Sequence, residues 1–130
     1  MPLRKLANSV SFAMNTWEKQ YGSAEAKSVF HRSARAFLKA YAKQVLKLET
    51  NAYEVRSCEG GPAVLGEVTL HTDNVYIQLR EPSFDPTMNV LFRKCASRKD
   101  YMGGSNHWCH VLELLNFNPL ERLGATFFAY

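Results

Sequence analysis

The chain has no run of 18 or more apolar residues, which leaves no stretch able to form a membrane-spanning helix. Cysteine is scarce and odd in number: Cys58, Cys95 and Cys109 leave at least one thiol without an intramolecular partner. The first residues carry early cations but no continuous apolar run, because Asn8, Ser9, Ser11 and Asn15 interrupt it. A secretory leader is not expected, and free thiols in a reducing, cytoplasmic compartment are. Catalytic signatures are missing too. There is no G-x-S-x-G, no Walker A loop, no G-x-G-x-x-G, and no CxxC or HxxxH pair. The expectation is a non-enzymatic protein without metal or cofactor.

What the chain does contain is ordinary globular material: 130 residues, 46% hydrophobic and 22% charged. That length reads as one domain with a sizeable core. Charge is unevenly placed. Residues 1–50 hold nine Lys/Arg against three acids, whereas residues 51–130 hold seven against nine, so the net charge of +4 originates in the first half. Such asymmetry points to an anionic partner, nucleic acid being the commonest.

Periodicity divides the chain at about residue 50. Leu3, Leu6, Val10, Met14 and Trp17 recur at three and four and predict a first helix, stopped by Gly22. Phe30, Ala34, Phe37, Leu38, Tyr41, Val45 and Leu48 predict a long second helix over 23–48, with Ser23 as its cap and Lys47 in its last turn. The period then changes to two. AYEVRS, GEVTLH, NVYIQLR, NVLFRKC and HWCHVLEL predict five strands, with Thr72-Asp73-Asn74 as a tight turn. NPLERLG predicts a short helix with Asn118 as cap, Pro119 at its first position and Gly124 as its stop. The apolar tail ATFFAY would dock on the body, form a last strand, or support a weak homodimer if exposed. The expected fold is α+β: a helical hairpin over 1–50, an antiparallel meander of about five strands over 51–115, and a short helix and tail over 116–130.

Two regions carry candidate sites. On the second helix, Arg35, Lys39, Lys43 and Lys47 recur every four residues with Arg32 among them, opposite the aromatic stripe. Like charges at that spacing cost about a few tenths of a kcal/mol per pair, and phosphate contact is the chemistry that such a ladder suits. A solvated helix face is the alternative. His31 is expected on the flank of this face as an ordinary surface residue.

The second region is CASRKDYMGGSNHWCH, residues 95–110. Cys95, His107, Cys109 and His110 are zinc-ligand types, but their spacing does not suit a tetrahedral site, and buried thiols are the better reading. Trp108, His110, Leu112 and Leu114 are expected to share one strand face, favoured as the core side, with His107, Cys109 and Val111 on the other. The Gly103-Gly104 pair suggests a hairpin tip, with Arg98, Lys99 and Tyr101 offering phosphate contact with base stacking, or a protein-docking finger. Glu67, Asp73, Glu81 and Asp85 flank one hairpin without an E-x-K neighbour, so solvation outweighs metal-nuclease chemistry.

Together these features suggest a binding module for nucleic acid or a nucleoprotein complex, using Arg32, Arg35, Lys39, Lys43, Lys47, Arg98, Lys99 and Tyr101. The alternative is an inhibitor or adaptor that docks on a single protein partner with an acidic or nucleic-acid-binding groove. Small anti-defence accessory proteins of phages and plasmids have that build. No membrane partner is expected.

Overall fold

The computed structural model of the chain describes residues 2–82, 85–100 and 104–127. Helix α1 (Leu3–Lys19) buries Leu6, Ala7, Val10, Ala13, Met14 and Trp17, the stripe that its spacing predicts. The short connection turns at Gly22, whose φ of +84° suits glycine. Helix α2 (Ala24–Gln44) starts at Ser23, whose hydroxyl accepts from the Ala26 amide. The four-residue connection 20–23 folds α2 back on α1, and Phe12 and Thr16 of α1 line one groove with Ala26 and Val29 of α2.

The second helix is shorter than its apolar spacing predicts. It ends at Gln44, and Lys47 lies beyond it in the left-handed region with φ 58°. The Leu46 amide bonds back to the Tyr41 carbonyl, and the Leu48 amide to that of Ala42. This wrap satisfies carbonyls that the helix end leaves free. Val45 and Leu48 still pack on the core, so the apolar pattern outlasts the helix.

Five strands follow as a meander in the order β1-β2-β3-β4-β5, every neighbour antiparallel. They are β1 (Tyr53–Cys58), β2 (Glu67–Thr72), β3 (Val75–Arg80), β4 (Val90–Lys94) and β5 (His107–Cys109). The Thr72 hydroxyl accepts from the Asn74 and Val75 amides and pins the β2–β3 turn. Register puts Val55, Leu70, Ile77 and Phe92 in one row, and Val68, Leu79, Val90 and Cys109 in the next. These rows face the helices and join their apolar residues in one core. The α+β architecture agrees with the sequence reading.

The last predicted strand does not run through HWCHVLEL. It stops at Cys109, and Val111–Asn116 forms a 3-10 helix. His110 caps that helix, its Nδ1 accepting from the Leu112 amide while Glu113 accepts from the His110 amide. The expected facing is reversed as well: Cys109 lies in the core, and Trp108 is on the sheet's outer side, half-buried. The Tyr41 hydroxyl lies 3.0 Å from the carbonyls of both Leu114 and Phe117 and ties this segment to α2. Helix α3 (Pro119–Phe127) begins where predicted, with Asn118 Oδ1 accepting from the Leu120 amide, but it runs through Gly124 instead of stopping there. The end of the tail, residues 128–130, lies outside the described residues.

Candidate functional site

Arg32, Lys39 and Lys43 stand exposed on one side of α2. At 100° per residue they fall within a narrow arc, with Arg35 at its edge. Arg35 is half-buried and reaches toward β1, where its Nη1 donates to the Ser57 hydroxyl at 3.0 Å. Among the described residues none of these four cations pairs with a carboxylate. Lys47 is exposed but is not part of the face, because the helix has ended before it.

Residues 95–100, which follow β4, are laced to the body. The Cys95 amide donates to the Asn74 carbonyl and its thiol to that of Thr72. Arg98 donates to the Asn51 carbonyl at 2.8 Å and approaches Asp73 at 3.4 Å. The β4–β5 ladder ends at the Phe92–His107 pair, so Arg98 sits in a turn packed beside the β2–β3 turn and not on a projecting arm. Lys99 is exposed; Tyr101 lies outside the described residues.

The thiols and histidines divide clearly. Cys95 and Cys109 are buried and Cys58 is exposed. Burial pushes the Cys109 thiol up to about 12 and raises Cys95 as well, the reverse of what a nucleophile or metal ligand needs. His71 bonds to the Thr69 hydroxyl at 2.8 Å, and burial holds it below its ordinary value. His31 departs from expectation: it is only 7% exposed, and its Nε2 meets the Leu65 carbonyl at 2.8 Å. Among the described residues no group of three or more His, Cys, Asp or Glu could hold a metal ion. The four carboxylates around the hairpin are dispersed: Glu67 accepts from Gln78, Asp73 from Arg98, Glu81 from Trp17 and Asp85 from Thr87.

Two features were not singled out from the sequence. Phe12 is 71% exposed on α1 and borders a groove of about 570 Å³ with Arg4, Lys5, Asn8, Ser9 and Val29. The signal was present, since Phe12 falls off the Val10/Met14/Trp17 stripe. The other is a cleft of about 600 Å³ between the start of α2 and the β1–β2 loop, lined by Lys27, Ser28, His31, Arg35, Ser57 and Glu59 among others. Its signal was the spacing of Lys27, His31 and Arg35 by four, which puts them on one side of the helix.

Among the described residues no helix is long and apolar enough to cross a membrane. Compared with protein-family profiles, curated proteins and solved structures, the chain has no significant match.

Proposed function

We propose that the chain is a non-enzymatic cytoplasmic binding module that contacts the phosphates of nucleic acid, free or within a nucleoprotein complex, through the outer face of α2. The observation that carries this is the row Arg32, Lys39 and Lys43, exposed on one helix face with no carboxylate partner among the described residues. Keeping like charges together on a helix costs stability. Phosphates offset that cost, and each contact releases counterions. The Arg4 and Lys5 side chains on the adjoining helix widen the basic surface. Binding of this type is dominated by the backbone and carries little base preference.

Fluorescence anisotropy with single- and double-stranded DNA and RNA over a salt series tests the reading. The wild type should bind with a steep negative salt slope. An Arg32→Glu/Lys39→Glu/Lys43→Glu variant, folded by circular dichroism, should lose binding. Absence of binding to every oligonucleotide at low salt would sink the proposal.

A second reading, a protein-docking inhibitor or adaptor, draws on Phe12. A largely exposed aromatic beside Arg4 and Lys5 suits an anchor for an acidic protein surface. Phe12→Ala would then abolish capture of the partner while leaving oligonucleotide binding unchanged.

A further inference from the structure

The cleft beside α2 has the make-up of an anion site distinct from the exposed cation row. Lys27 and Arg35, two turns apart, border it on the helix side; Ser57 and Glu59 border it on the strand and loop side. Neither cation pairs with a carboxylate among the described residues. Each rests instead on a neutral oxygen: Lys27 Nζ donates to the Gly61 carbonyl at 2.9 Å, and Arg35 Nη1 to the Ser57 hydroxyl at 3.0 Å. Neutral acceptors make weaker bonds to cations than phosphate oxygens do, so both donors would gain by turning to an anion between them. The Ser28 and Ser57 hydroxyls add donors at the same walls.

His31 lines the same wall, is more than nine-tenths buried, and has an Nδ1 without a hydrogen-bond partner. Its Nε2 meets the Leu65 carbonyl at 2.8 Å and holds the ring against the loop.

We propose that this cleft holds one phosphomonoester, clamped between Lys27 and Arg35, and that its source is the phosphorylated end of a nucleic-acid strand. The proposal rests on the nucleic-acid reading for that source. The two cations and the Ser28 and Ser57 hydroxyls offer donors for all three terminal oxygens of a phosphomonoester, one more than the two free oxygens of a backbone diester. Arg35 belongs to both the cleft and the edge of the exposed row, so a strand lying along Arg32, Lys39 and Lys43 can present its end to the cleft without a second surface.

Oligonucleotides of one sequence, ending in either a phosphate or a hydroxyl at the 5′ or the 3′ terminus, test the proposal by competition against a labelled strand. A phosphorylated end should compete at least about tenfold better, roughly one charge-assisted bond. Lys27→Gln should erase that preference, Lys27→Arg should keep it, and neither should change the salt slope set by the outer row. Equal competition by phosphate and hydroxyl ends, or a preference that survives in Lys27→Gln, overturns the terminal-phosphate assignment while leaving backbone binding intact. A second arm, amide shifts on titration with inorganic phosphate and adenosine monophosphate, needs no strand. Saturable shifts at Lys27, Ser28, Gly60 and Gly61 support the phosphate clamp even if no oligonucleotide binds, and then overturn only the strand as its source. Their absence with both ligands overturns the site.

Discussion

The outer side of the helix pair and the outer side of the sheet both carry charge, but they use it differently. On α2 the cations Arg32, Lys39 and Lys43 point outward without carboxylate partners among the described residues. On the sheet, Arg56 forks onto Glu54, and Arg93, only 5% exposed, donates to the Asp100 carbonyl and lies 4.7 Å over the Tyr76 ring. Thr69 bonds His71, and Gln78 bonds Glu67. Polar groups in a sheet face are held side by side by the register, so they pair and bury one another. A helix surface holds its residues apart on a convex cylinder, and only acids at three or four residues' distance could have paired them. The sheet's charges are therefore part of the fold, and those of α2 face solvent.

This contrast can be broken or sharpened by stability measurements, and pH should have the largest effect because it acts through the sheet and the His110 cap that follows it. Burial holds His71 and His110 below the ordinary 6.5, so the folded chain takes up fewer protons than the unfolded one as pH falls past that value. Stability is lost in that direction. The Arg56 hydrogen bond holds Glu54 below its ordinary 4.5 and extends the loss into stronger acid. Cys109 and Tyr76 are both raised to about 12 by burial, from ordinary values of 9.0 and 10.0. Their contribution is intact below pH 9 and is lost as pH rises toward 12. Thermal unfolding across pH should show a plateau between about 7 and 9. A profile still flat at pH 10.5 would contradict the burial of both groups.

Arg93→Ala should destabilise the fold by about 1–3 kcal/mol, since it removes the bond to the Asp100 carbonyl from a buried side chain and uncovers Tyr76. It should leave the salt slope of oligonucleotide binding unchanged. Chemical denaturation beside anisotropy measures both, and a normal stability with weakened binding would reverse the assignment of the two surfaces. Lys47→Gly should raise stability by about 1 kcal/mol, because φ 58° strains a residue with a Cβ. A loss instead would mean that the Lys47 side chain does more than occupy the bend after α2. Smallest of all, Lys39→Ala and Lys43→Ala should each change stability by under about 0.5 kcal/mol, with a slight gain from relieved repulsion. Each should lower the salt slope by about one.

Much of the architecture was legible because burial imposes a period. The stripe from Leu6 to Trp17, the run from Phe30 to Tyr41 and the alternation in β1 to β3 each show one face that must meet the core. The errors fall where local chemistry competes with that pattern. Val45 and Leu48 keep helical spacing after the helix has ended, because a chain wrapping back at Lys47 can bury them as well. HWCHVLEL alternates like a strand, yet His110 and Glu113 close a capping box that turns it into a 3-10 helix. Trp108 looked like the core residue by size, but the register with Leu91 places it on the outer side.

By itself, the sequence determined the α+β class, the five-strand meander, the first helix and the row of cations opposite the α2 aromatic stripe. These depend on residues close in the chain, whose spacing alone decides which side of an element they occupy. Only the tertiary structure decided that Arg98 is tied to Asn51 and Asp73, that His31 is buried against Leu65, and that Lys27 and Arg35 face Ser57 and Glu59 across a cleft. Each of those contacts joins residues more than twenty positions apart, and no periodicity encodes what a loop brings back against a helix.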